Sequence, residues 1–206
     1  MRYIMPFLFF GSGATALVYE VVWSKYLSLM FGSTIQAQTV VLAVFMGGLA
    51  LGNLLFGRRA DAMAQPVKTY GYIEIAIGVY ALLFNALYGL GDRLFIATGT
   101  GFLESSGILL VLKGSISLAL LLGPTVLMGG TLPLVAAWLQ RSSGDAGRSS
   151  ARFYAINTLG AVAGAGLAGF FLVRHLGILS TLWVTGGANI LLGVAAIGVE
   201  RRRQIE

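Results

Sequence analysis

Apolar residues run along this chain in six stretches, at 4–29, 38–56, 70–90, 108–128, 153–173 and 179–199, and most of the charged residues fall between them. Each stretch has the length of a helix that crosses a hydrocarbon core about 30 Å thick, which takes roughly 20 residues. The pattern predicts an all-α membrane protein, a six-helix transmembrane bundle forming a single polytopic domain. Two shorter elements accompany the spans. Residues 94–103 are too few to cross and are expected to lie at the interface, and residues 131–139, after Gly129 and Gly130, are expected to extend the fourth helix beyond the bilayer. The first run follows Arg2 as a signal peptide would, but it far exceeds the roughly 7–15 apolar residues of a signal core, so a retained helix is expected.

Composition agrees with the pattern. Of 206 residues 57% are hydrophobic and 11% charged, with a mean hydropathy of +0.83, against the ~25% charge of ordinary soluble domains. The spans nearly consume the length, which leaves no room here for a soluble catalytic domain. No cysteine is present, and His175 is the single histidine, so neither thiolate chemistry nor a multi-histidine metal centre is expected, and no cofactor.

The net charge of +6 is read as topology, with no nucleic-acid partner implied. With the N-terminus inside, Arg2, Arg58, Arg59, Lys68, Arg141, Arg148, Arg152, Arg201, Arg202 and Arg203 all fall on the cytoplasmic side. Lys25, Arg93 and Arg174 fall opposite, at span ends. The expectation is a bacterial-type plasma (inner) membrane protein with both termini cytoplasmic.

Small residues at four-residue spacing let helices approach closely in lipid, which marks Gly48 and Gly52, and Gly160, Gly164 and Ala168, as packing faces within the bundle or between copies. Pro124 and Pro133, around Gly129 and Gly130, predict a kinked or broken fourth helix, because proline removes an intrahelical hydrogen bond. Asn53, Asn85, Asn157 and Asn189 are candidates for hydrogen bonds between helices.

Four ionisable residues fall in or at the ends of spans: Glu20, Lys25, Glu74 and Lys113. A carboxylate near the bilayer centre costs roughly 2.5–3.5 kcal/mol on insertion scales, so it is paired, faces a cavity, or stays protonated. For Glu20 the readings are an ion pair with Lys113, a proton-exchanging carboxyl, or a site for a cationic amine flanked by Tyr19, Trp23 and Tyr26. Lys25 is expected to snorkel. Glu74, expected one turn inside the third helix, would join Arg58, Arg59 and Asp61 in a structural charge cluster.

Several blocks carry a family resemblance. Ser12-Gly13-Ala14 through Tyr19-Glu20-Val21-Val22-Trp23-Ser24-Lys25, Phe31-Gly32-Ser33, Phe45-Met46-Gly47-Gly48-Leu49-Ala50-Leu51-Gly52, Gly57-Arg58-Arg59-Ala60-Asp61, Met128-Gly129-Gly130-Thr131-Leu132-Pro133-Leu134 and the run from Tyr154 through Asn157 to Gly164 resemble the membrane portion of bacterial membrane-embedded spermidine synthases, the multi-pass polyamine aminopropyltransferases. The loop from Gly57 to Lys68 also resembles the basic loop between helices two and three of major facilitator transporters, where the charges clamp neighbouring helix ends. Six helices would form half of such a transporter, a three-plus-three inverted repeat.

In the synthase family a soluble Rossmann-like domain holds decarboxylated S-adenosylmethionine and binds polyamine. This sequence has no glycine-rich loop between a soluble strand and helix, so the expectation is a protein that is not an enzyme. It would instead bind or transport a small cationic or amphipathic solute such as a polyamine through Glu20, Tyr19, Trp23 and Lys113. The alternatives are a structural subunit that docks a larger complex, and a membrane anchor for a separately encoded aminopropyltransferase domain. The expected partners are lipid and either a second copy or other membrane subunits.

Overall fold

The computed structural model describes residues 4–32, 34–102, 105–142 and 146–203. Arg2, Ser33 and residue 103 at the end of the expected interfacial segment lie outside them. The described residues form α1 (Ile4–Phe31), α2 (Thr34–Ala60), α3 (Pro66–Gly99), a 3-10 turn (Thr100–Phe102), α4 (Ser106–Ser142), α5 (Ala146–Leu167), a π turn (Ala168–Leu172) and α6 (Val173–Arg203), with no strand among them. Five helical runs are long and apolar enough to cross a membrane.

That number differs from the six spans expected, and the reason is local. The last two spans lie in one helical run, Gly147–Arg202, with no loop between them. Its helical geometry fails at Gly177, whose φ of 77° and ψ of 173° suit a residue without a Cβ. The chain reverses there. Gly160 on α5 lies against Phe10 of α1, and Leu192 on α6 lies against the next residue, Gly11. At the same end of the bundle Gly32, at φ 69°, closes α1, and its N–H reaches the Ser28 carbonyl at 3.0 Å, a helix end that glycine serves well.

Two further expectations change. Residues 94–99 continue α3 and are not a separate interfacial element, and of the kink or break expected in the fourth helix the break is absent, since α4 is one helical run of 37 residues containing both Pro124 and Pro133. Proline at 124 leaves the Leu120 carbonyl without its N–H partner four residues on. The Tyr80 hydroxyl of α3 donates to that carbonyl instead. A neighbouring helix thus supplies the missing donor, as membrane helices allow.

The helices are joined by close backbone approach. A Cβ added at Gly48 would stand 1.9 Å from the Thr125 Oγ1 of α4, and one at Gly52 2.0 Å from the Val126 carbonyl. Gly160 and Gly164 place α5 equally close to α1, where a Cβ would meet the carbonyls of Phe10 and Ala14 at 2.0 Å. Between α3 and α6, Gly71 faces Gly193 and Gly78 faces Gly186. An aromatic cluster fills one part of the core: Trp23 stacks on Tyr19 at 5.3 Å and on Phe84 at 5.4 Å, and Tyr26 meets Tyr88 at 5.0 Å.

Overpacking costs typically 1–3 kcal/mol, so Gly52→Ala is expected to lower stability by about that amount in detergent. Gly47→Ala, with nothing within 4 Å of its Cβ, should stay within about 0.5 kcal/mol of the parent. Thermal unfolding of the two variants side by side measures the difference.

Candidate functional site: two cavities along the first helix

Glu74 is the most deeply buried charged side chain among the described residues, with 1% of its surface exposed. α3 starts at Pro66, which suits the first helical position because it lacks the N–H that would be unsatisfied there. Glu74 therefore lies eight residues into the helix, about 12 Å from its start. The Ser12 hydroxyl of α1 donates to its Oε1 at 2.5 Å, and the Asn189 amide of α6 donates to its Oε2 at 2.6 Å. Three helices thus meet on one carboxylate. The expected charge cluster is not formed, because Arg58, Arg59 and Asp61 are exposed and Glu74 is too far inside α3. The clamp on that loop comes from α4, where the Arg141 guanidinium donates to the backbone carbonyls of Asp61, at 2.7 Å, and Ala64.

A cavity of about 80 Å³ opens beside Glu74, and every helix contributes to its wall, including Ser12 and Tyr19 of α1, Phe45 of α2, Thr131 of α4, Asn157 of α5 and Asn189 of α6. Two of its polar atoms are buried without a partner, the Tyr19 hydroxyl and Asn189 Oδ1. Buried polar atoms are normally satisfied. These two are therefore available to something that enters the cavity.

Glu20 faces a second, larger cavity of about 370 Å³, lined by Leu17, Ser24, Lys25 and Ser28 of α1, Gln38 and Leu42 of α2 and Ala165 of α5. Glu20 is half-buried and has no hydrogen-bonding or ionic partner among the described residues. The structure does not bring Lys113 to it. The Lys113 ammonium donates to the Phe31 carbonyl at 3.1 Å and lies over the rings of Phe31 and Phe95, at 5.8 and 5.2 Å from their centroids. Tyr19 and Trp23 are also directed away, both with no exposed surface, into the aromatic core. Tyr26 donates to Asn85 Oδ1 at 2.9 Å, and Lys25 is exposed at the rim of the cavity. Among the described residues, no three of His, Cys, Asp and Glu gather as metal ligands would.

Sequence reading singled out Glu20 and undervalued Glu74. The signal for Glu74 was present in Pro66, which starts α3 four residues before the apolar run and so moves Glu74 a full turn deeper. Two predictions follow from this geometry. Asn189→Leu removes the Oε2 donor and should cost roughly 1–3 kcal/mol of stability in detergent, as expected when a buried acceptor loses its partner. The charge swap Glu20→Lys with Lys113→Glu should restore nothing beyond the sum of the single changes in the same unfolding assay, since the two residues do not meet.

No family model matches the chain, and no solved structure matches it. Among curated proteins, it is 29% identical over 199 residues to polyamine aminopropyltransferase 2 of Streptomyces coelicolor, covering 94% of the chain and 33% of that protein. Polyamine aminopropyltransferase 1 of the same organism is 26% identical over 204 residues, with 98% and 35% covered. Polyamine aminopropyltransferase of Mycobacterium tuberculosis is 30% identical over 190 residues, with 90% and 33% covered. The chain spans about a third of the length of these relatives. The expectation of a protein that is not an enzyme is corrected by these matches, since all three relatives are named as enzymes. That expectation rested on the lack of a nucleotide-binding loop, and a segment equal to a third of an enzyme's length need not contain its cofactor loop. The similarity runs along nearly the whole chain, and the proteins it reaches are polyamine aminopropyltransferases.

Proposed function

We propose that the chain is the membrane-embedded helical module of a polyamine aminopropyltransferase-like enzyme, and that this module binds a cationic amine at Glu20. The observation that carries the amine reading is an intramembrane carboxylate with no ion-pair partner among the described residues, set in a cavity large enough for a small organic ligand. The volume of about 370 Å³ falls within the ~300–1,000 Å³ of ligand pockets. Ionisable residues within a bilayer are commonly functional. The names of the relatives supply the chemical class, a polyamine.

Membrane residence is supported by the surface. Phe7, Ile35 and Phe170 are each at least 75% exposed, and Leu191 is 70% exposed, a distribution suited to lipid contact and poorly suited to water. Lysine and arginine at the ends of the runs support cytoplasmic termini in a bacterial-type inner membrane, with six crossings when the reversal at Gly177 is counted.

Packing also supports a three-plus-three inverted repeat. α1 and α5 run parallel, with Phe10 against Gly160 and Ala14 against Gly164, and α2 and α4 run parallel, with Gly48 against Thr125 and Gly52 against Gly129. Exchanging helix one for four and five for two carries one contact onto the other, including its four-residue spacing. The α3–α6 contact maps onto itself. A pseudo-two-fold axis in the membrane plane has this effect.

Purified protein in lipid nanodiscs, titrated with radiolabelled spermidine, tests the reading. Glu20→Gln is expected to weaken binding at least about tenfold, or roughly 1.4 kcal/mol, with an unchanged yield of folded protein. Unaltered binding would contradict it, and a loss of folded protein would assign Glu20 a structural role instead.

A further inference from the structure

Resting on the amine reading above, we infer that the two cavities are one binding cleft for a linear polyamine, with Glu20 holding one ammonium group and Glu74 another. The two cavities share Leu17 as a common wall. On α2, Gln38 and Leu42 line the outer cavity and Phe45 and Leu49 the inner one. Those four positions fall on a single helical face. On α5, Ala165 lines the outer cavity and Ala161, one turn earlier, the inner one. α2 and α5 both pack on α1 and make no extensive contact with each other. The space between them is therefore a cleft along α1, from Ser28 and Gln38 at its outer end to Glu74 at the centre of the bundle.

The chemistry along the cleft is that of an extended cation with charged ends and an aliphatic middle. At the inner end the Glu74 oxygens accept hydrogen bonds from Ser12 and Asn189, the Tyr70 hydroxyl lies beside them while donating to the Leu8 carbonyl, and the carboxylate's four lone-pair sites leave room for a further donor. Asn189 Oδ1 and the Tyr19 hydroxyl oxygen stand unpartnered beside it. An ammonium group has three N–H donors and no acceptor, and these oxygens are its complement. A volume of about 80 Å³, against the ~10–15 Å³ a single water needs, admits an ammonium head with its first methylenes and excludes a bulky group. Leu17, Leu42, Phe45 and Leu49 flank the stretch between the ends.

Spacing selects among amines. Ser12, which holds Glu74, precedes Glu20 by eight residues on α1, a rise of about 12 Å. A linear amine with a charged group at each end can reach across such a span, and each further aminoalkyl unit adds a charged group to meet the oxygens along it. A monoamine would occupy one carboxylate only.

Competition binding to the full chain in nanodiscs, with butylamine, putrescine, spermidine and spermine as probes, tests the inference. Affinity should rise from butylamine to spermine by roughly a hundredfold, the gain expected when a second charged end binds intramolecularly. Cyclam, a tetraamine closed into a ring, should not share the gain. Glu74→Gln should bring spermine down towards butylamine. Leu17→Trp, which fills the shared wall and leaves the Glu74 hydrogen bonds in place, should do the same. If spermine binds tightly to the parent and to both variants alike, the inner site is wrong while amine binding at Glu20 stands. If no amine binds the parent chain, the amine reading itself fails and this inference falls with it.

Discussion

A carboxylate on α3 held by a hydroxyl from α1 and an amide from α6 is the constraint on which the rest of the bundle depends. Among the described residues Glu74 has no ion-pair partner, so its environment is made of donors aimed from two other helices, and those helices must meet at its level. Glycines make that meeting close. Gly71 and Gly78 bracket Glu74 on α3 and face Gly193 and Gly186 on α6, which bracket Asn189. Removing side chains on either side of a polar contact lets two backbones approach until a short amide reaches a carboxylate. The central cavity then follows from the same geometry, since one polar cluster surrounded by six converging helical segments leaves space that no side chain fills.

Much of the fold was legible in the sequence because length and apolarity are properties of a run, independent of what it packs against. The number of runs was less legible. Residues 153–173 and 179–199 look like two spans with a short connection, yet the connection is a single glycine with positive φ in an otherwise continuous helical stretch. The fourth helix shows the same limit from the other side. Pro124 was read as a kink or break from the local rule that proline removes a hydrogen bond, and the Tyr80 hydroxyl, 44 residues away in sequence, supplies the missing donor. Tertiary contacts of this kind leave no local trace.

The site was half legible. Intramembrane charge identified Glu20 and Glu74 as residues needing an explanation, but it could not say which way they face. A helix that is apolar on all sides gives little signal of its inner face, so Tyr19 and Trp23 were grouped with Glu20 by proximity in sequence. They lie instead in the aromatic core beside Phe84, and Lys113 is engaged at Phe31. The residues that complete the inner cavity, Ser12, Asn157 and Asn189, are uncharged and distributed over α1, α5 and α6, and only the fold brings them together. The relatives, about three times as long as this chain, are named polyamine aminopropyltransferases, and no local signal in these helices displays that chemistry.

The most direct measurement is a cryo-electron-microscopy structure of the protein in nanodiscs with spermine bound. The account predicts elongated density along α1 between α2 and α5, passing Leu17 and ending within hydrogen-bonding distance of Glu74. Density confined to the headgroup region, or both cavities unchanged at saturating spermine, would contradict it.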